Sequence, residues 1–157
     1  LIEAFSIIHE NHDDWKLVIC GEGPDRKKIQ ELIEVKKLRG NVLLKGYLNQ
    51  KDLKKWMQSS RIFVISSKVE GFPKALLEAA ACGCACVSTN VGDCDYFLKD
   101  IGSIAKNNKY DLAKEILKLI NSSTLSNENS IQAIKKADSF SWKEYIDLHR
   151  NIYNDLL

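Results

Sequence analysis

Glu70 and Glu78 are the side chains best placed by type and spacing to do chemistry. They are separated by seven residues in the stretch Ser66-Ser67-Lys68-Val69-Glu70-Gly71-Phe72-Pro73-Lys74-Ala75-Leu76-Leu77-Glu78-Ala79. A carboxylate accepts two hydroxyl protons at once, which suits a sugar diol, and each such charge-assisted hydrogen bond is worth about 1.5–3 kcal/mol. Between the glutamates, Pro73 stands where a helix should begin, since its missing N–H has no partner in the first turn. A helix start presents unpaired N–H groups and partial positive charge, a natural seat for phosphate. Gly71 allows a sharp turn there. The order is therefore carboxylate, anion seat, carboxylate. It matches the sugar, diphosphate and ribose of a nucleotide-sugar. Lys74 adds a positive charge near the seat. The plainer alternative is a Lys74–Glu78 pair on a solvated helix face, although Lys before Glu is the weaker orientation.

A second candidate is Gly21-Glu22-Gly23-Pro24, set between an expected strand and an expected helix. Arg26 occupies the place of a third glycine, so the pattern is not a dinucleotide fingerprint. There is no Gly-Lys-Ser/Thr and hence no P-loop. Two readings stay open. Gly21 and Gly23 let the backbone approach a ligand with Arg26 to Lys28 nearby, or they make a tight turn and nothing more. The five cysteines are Cys20, Cys82, Cys84, Cys86 and Cys94. Their Cys-x-Cys-x-Cys spacing is not a zinc pattern, and His9, His12 and His149 lie far off in sequence. They read as small buried apolar residues in a reducing compartment, with no metal site expected.

These residues need a scaffold, and periodicity supplies one. A helix is expected over 1–10 with Leu1, Phe5 and Ile8 on one side. A strand over 15–20 follows, then a helix that opens at Asp25, carries Ile29, Leu32, Ile33 and Lys36 on one side and stops near Gly40, and a strand over 42–47. Asn49 should cap a helix at 50–58 that turns Leu53, Trp56 and Met57 inward. The apolar run 61–66 suits a strand covered on both faces. A helix over 73–81 and strands at 85–88 and 102–105 come next. Helices close the chain at 111–120, 127–137 and 141–156, the last carrying Trp142, Tyr145, Ile146, Ile152, Tyr153 and Leu156. Strands alternating with helices mean right-handed βαβ units, so the fold class is α/β: a Rossmann-like parallel sheet with helices on both faces. Ligands of such sheets bind at the carboxyl ends of the strands, in loops 21–24, 46–49, 66–73 and 89–95.

Composition agrees with one such domain. The chain has 157 residues, 45% of them apolar and 28% charged, with a net charge of +2. That near-balance argues against a nucleic-acid binder, which carries a basic face. No apolar run reaches the roughly 18 residues of a membrane span. The sequence opens Leu1-Ile2-Glu3-Ala4-Phe5, with no Met and in mid-helix, which reads as a piece of something larger.

The segment Glu70-Gly71-Phe72-Pro73 through Glu78-Ala79, with Ala81-Cys82-Gly83, Val87-Ser88-Thr89 and Val91-Gly92-Asp93, closely resembles the family 4 retaining glycosyltransferases of GT-B fold (glycosyl transferases group 1), in detail those that build bacterial polysaccharides. Gly21-Glu22-Gly23-Pro24, Gly46-Tyr47-Leu48 and Phe140-Ser141-Trp142 extend the resemblance over nearly the whole chain. It implies that residues 1–157 are the C-terminal, donor-binding domain, with the N-terminal acceptor domain and this domain's first strand missing. Glu70 would be the catalytic-site carboxylate, binding donor-sugar hydroxyls. Backbone N–H groups between Gly71 and Leu77 would face sugar and phosphate, with Gly71, Phe72, Pro73, Lys74, Ala75 and Leu77 as the donor-binding residues. Glu78 would hold the ribose. Tyr47 and Leu48 would flank the base through backbone, and Gly21 and Gly23 would line the nucleotide side. The resemblance implies no metal and no cofactor, a UDP-sugar in preference to a GDP-sugar, and transfer with retention to a glycan or lipid-linked acceptor. It implies a cytoplasmic location at the inner face of the plasma membrane, by peripheral association. The alternatives are a GT-B-fold nucleotide-sugar 2-epimerase and a non-catalytic nucleotide-sugar-binding domain. The sequence departs from the family pattern at Lys74, where Asn or Gly is common. A second departure is Cys94-Asp95-Tyr96, where an acidic residue is usual.

Overall fold

A computed structural model describes residues 1–154. Its elements alternate as the periodicity requires. They run α1 (Ile2–His9), β1 (Leu17–Cys20), α2 (Arg26–Val35), β2 (Val42–Gly46), α3 (Gln50–Ser59), β3 (Ile62–Ile65), α4 (Lys74–Ala81), β4 (Ala85–Thr89), α5 (Cys94–Leu98), β5 (Gly102–Ala105), α6 (Lys109–Asn121), α7 (Ser123–Asp138) and α8 (Trp142–Asn154). Leu156, assigned to the last helix by sequence, lies outside the described residues. Asn49 caps α3 as expected, accepting the Asp52 N–H at 2.9 Å. Asn108 and Ser122 cap α6 and α7 in the same way.

All strand pairs are parallel, but they form two sheets, β1-β2 and β3-β4-β5. The reason one continuous sheet does not form is visible between β1 and β3. The two strands line a largely apolar cleft of about 890 Å³, walled also by Leu1, Phe5 and Ile8 of α1 and Leu53, Trp56 and Met57 of α3. The expectation that 61–66 is covered on both faces is corrected here: Ile62, Phe63 and Val64 are only half-buried, because the cleft runs beside them. β4 is the strand buried at every position.

Side-chain alternation along β4 sends its residues to opposite layers. Cys86 joins Met57 of α3, Leu76 and Ala80 of α4, and Phe97 of α5. Ala85 and Val87 join Ala4 and Ile8 of α1 and Leu112 and Leu119 of α6. A third cluster links Ile2 and Phe5 of α1 to Ile33 of α2 and Val42 of β2. Helices α1, α2 and α6 thus cover one side, and α3, α4, α5 and α7 the other. Full burial of a side chain such as Leu76 or Phe97 stabilises the fold by about 1.5–3 kcal/mol. The cysteine expectation divides: Cys84, Cys86 and Cys94 are buried, whereas Cys20 is exposed and Cys82 half-buried. Helix α8 buries none of its residues, and Trp142 and Tyr153 are exposed. No helix among the described residues is long and apolar enough to cross a membrane.

Candidate functional site

The carboxyl ends of β1, β2, β3 and β4 deliver the loops named from the sequence. After β3 the chain runs through Ser66 to Pro73 before α4 begins. Ser67 Oγ donates to Glu70 Oε1 at 2.7 Å, fixing the carboxylate over its own loop. Two bonds tie the loop to its neighbour. Thr89 Oγ1, at the end of β4, donates to the Ser67 carbonyl at 2.7 Å. The Asp93 N–H donates to the Gly71 carbonyl at 3.2 Å. Gly92 lies between them at φ +50°, so close that a Cβ there would collide with the carbonyl oxygens of Glu70 and Gly71. Cys94 is buried nearby. Burial pushes its thiol pKa up, a Ser88 hydrogen bond lowers it, and the Glu70 charge raises it further.

Pro73 is buried and serves as the N-cap of α4, with φ −74° and ψ 104°. This corrects its expected place as the first helical residue. Its ψ is extended, outside the helical range, so the helix begins one residue later at Lys74. No side chain caps α4, and the first turn is not acidic. The N–H groups of Lys74 and Ala75 are therefore left for an anion, while that of Leu76 already donates to the Pro73 carbonyl at 2.9 Å. Phe72 points inward. Its ring stands edge-on to Phe97 at 5.7 Å and stacks on Phe140 at 5.9 Å. The Phe72 ring is thereby engaged in the core cluster, half-buried.

Lys74 and Glu78 are both exposed on α4. They do not pair: the seven ion pairs among the described residues leave both out. The plain reading of a Lys74–Glu78 bridge therefore fails. Glu78 presents a free carboxylate about one turn into α4, and Lys74 a free ammonium at its start. Ala75 and Leu77 are half-buried on the same helix.

Gly21, Tyr47, Leu48 and Ala75 all line the mouth of the apolar cleft. The Tyr47 ring stands in solvent, 82% exposed. Gly21 and Gly23 share a second hollow of about 250 Å³ with Pro24, Arg26 and Leu44. Arg26 is occupied there: its Nη1 meets Glu22 Oε1 at 2.7 Å. Lys28 pairs with Asp25 instead of facing the turn. Glu70, Gly71 and Glu78 line neither hollow; Gly71 and Glu78 are exposed and Glu70 is half-buried.

Sequence reading passes over Ser67, Thr89 and Gly92, which hold the Glu70 loop. A usable signal existed, since Ser and Thr at strand ends commonly bond neighbouring backbone. Helix α5 was also missed; it begins within the expected loop 89–95 and runs on to Leu98, and its five residues are too few to show a period. Among the described residues no three His, Cys, Asp or Glu side chains gather into a metal-holding group.

Comparison with known proteins agrees with this geometry. Residues 1–137 match the family Glycosyl transferases group 1. The chain is 31% identical over 153 residues to poly(glycerol-phosphate) alpha-glucosyltransferase of Bacillus subtilis, covering 93% of the chain and 22% of that protein. A variant of Staphylococcus aureus TarM, crystallised with Fondaparinux, alpha-GlcNAc-glycerol and UDP, superposes with TM-score 0.85 at 28% identity, over 98% of this chain and 32% of that one. The C-terminal domain of a glycosyl transferase group 1 protein from Francisella tularensis superposes with TM-score 0.80 at 24% identity. That match covers 88% of this chain and 75% of that one, and shows the fold. The chain thus spans less than a third of the curated relative's length. By its fold, its paired glutamates and the match over residues 1–137, the chain belongs to the glycosyl transferases group 1 family.

Proposed function

We propose that this chain is the donor-binding domain of a retaining glycosyltransferase that takes its sugar from a nucleotide diphosphate sugar, with UDP preferred to GDP. The observation that carries the reading is the uncapped start of α4 between two carboxylates free of ion pairs, Glu70 and Glu78. A diphosphate seated on the N–H groups of Gly71, Phe72, Lys74 and Ala75 leaves the sugar toward Glu70 and the ribose toward Glu78. Glu70 keeps one oxygen on Ser67 and offers the other to a sugar hydroxyl. Negative charge grows on the diphosphate as the glycosidic bond breaks. Fixed backbone N–H groups stabilise that charge without reorganising. Lys74, exposed at the same helix start, adds to the field. Tyr47 and Leu48 hold the base through backbone, and Gly21 and Gly23 close the nucleotide side.

UDP in the TarM variant supports a uridine donor. The transferase relatives do not favour the epimerase alternative. The reading needs no metal, because helix N–H groups and Lys74 hold the phosphates. The acceptor, a glycan or a lipid-linked one, would sit on an N-terminal domain outside this sequence. The whole enzyme would work in the cytoplasm, against the membrane's inner face. The open cleft supports the same division. An additional parallel strand of about five residues takes up about 16 Å by 4.8 Å by 10 Å, on the order of 800 Å³. That approaches the 890 Å³ between β1 and β3.

Calorimetric titration of UDP, GDP and ADP and their hexose conjugates into the chain tests the proposal. The expected binding is about −4 to −6 kcal/mol, a Kd from about 1 mM to tens of micromolar. Silence from every nucleotide at millimolar concentration would refute it.

A further inference from the structure

We propose that Ser67 is the positioning residue for Glu70, and that Thr89 locks Ser67 in place from the neighbouring strand. The proposal rests on the donor-site reading of Glu70 and adds how that side chain is aimed. Among the described residues, Ser67 Oγ is the one hydrogen-bond donor to either Glu70 oxygen, at 2.7 Å. Glu70 precedes Gly71 on a loop, and a loop glutamate left alone samples several rotamers. The bond from Ser67 removes that freedom on the Oε1 side and leaves Oε2 open. A donor sugar then meets a carboxylate already fixed.

Ser67 is itself over-determined. Its carbonyl accepts the Thr89 hydroxyl at 2.7 Å, and Thr89 is 2% exposed at the end of the fully buried β4. The register pairs Ile65 with Ser88, so Ser67 and Thr89 leave the sheet as adjacent strand ends. The Asp93 N–H to Gly71 carbonyl bond holds the far side of the loop. The chain of contacts is therefore β4, Thr89, Ser67, Glu70. Only the last touches the sugar, so Ser67 and Thr89 act through it.

The test compares wild type, Ser67→Ala, Ser67→Thr and Thr89→Val in two readouts. One is the affinity for a UDP-hexose relative to UDP. Without the Ser67 bond the sugar must itself order a freely rotating glutamate, so Ser67→Ala should lose about tenfold of the sugar-dependent gain. Ser67→Thr, which keeps the hydroxyl, should restore most of it, and Thr89→Val should show a smaller loss of the same kind. The other readout is the three-bond couplings of the Glu70 side chain by NMR in the ligand-free protein. They should report one rotamer in wild type and Ser67→Thr, and averaging in Ser67→Ala. A wild type with no sugar-dependent gain would count against the donor-site reading, while the couplings still decide the role of Ser67. A single Glu70 rotamer retained in Ser67→Ala would overturn the proposal.

Discussion

Gly92→Ala should unfold the chain far more readily than Gly40→Ala. Both glycines adopt positive φ, +50° and +89°. An L side chain in that region costs about 1–2 kcal/mol at either position. The two differ in what a methyl group would meet. At Gly40 nothing lies within 4 Å. At Gly92 the new carbon would sit 2.7 Å from the Glu70 carbonyl oxygen and closer still to that of Gly71. These are backbone atoms and cannot rotate aside, so the loop over 66–73 must shift. Forcing a methyl into a packed site costs about 1–3 kcal/mol. Gly92→Ala should therefore lose about 3 kcal/mol in all, and Gly40→Ala about 1 kcal/mol. In a chain of this size the Tm should fall by about 6–12 °C and about 2–4 °C respectively. Thermal melts followed by circular dichroism, with urea melts beside them, measure both. Equal losses would show that the Glu70 loop is not pressed against the β4–α5 turn.

Three further outcomes follow from the structure. Asn108 accepts the Tyr110 and Asp111 N–H groups at the start of α6. Asn108→Ala should cost about 1 kcal/mol in urea melts. Burial pushes the Cys84 thiol from 9.0 up to about 11, and the more deeply buried Cys86 moves in the same direction. The folded state therefore keeps these protons while the unfolded state releases them. Their contribution is intact below about pH 9 and is lost as pH rises toward about 11. A Cys84→Ala/Cys86→Ala chain should lose that alkaline step in pH-dependent melts. Finally, β1 and β3 leave facing edges beside the cleft. A chain extended beyond Leu1 should protect the amides of residues 17–20 and 62–65 from hydrogen exchange, and unchanged exchange would remove the case for an added strand.

Period and punctuation made most of the scaffold legible. Ile29, Leu32 and Ile33 announced α2, Asn49 announced α3, and the apolar runs at 42–47 and 85–88 announced their strands to within a residue. The Glu70–Glu78 spacing was legible for the same reason, since a helix start between two carboxylates is a local feature. What escaped depended on distant partners. The half-exposure of β3 arises from a cleft that only the three-dimensional arrangement of β1, α1 and α3 creates. The exposure of Trp142 and Tyr153 on α8 was not legible, because helical periodicity reports an apolar face and not what covers it. Ser67 and Thr89 lie 22 residues apart and meet only because β3 and β4 are adjacent.

The central claim is a division of labour, with Glu78 on the nucleoside and Glu70 on the sugar. Titrating UDP and a UDP-hexose into wild type, Glu70→Ala and Glu78→Ala tests it most directly. Glu78→Ala should weaken both ligands about tenfold, the loss of a charge-assisted hydrogen bond at an exposed site. Glu70→Ala should bind UDP as wild type does and lose the extra affinity for the UDP-hexose. If both variants bind both ligands like wild type, the helix start between these glutamates is not the donor site.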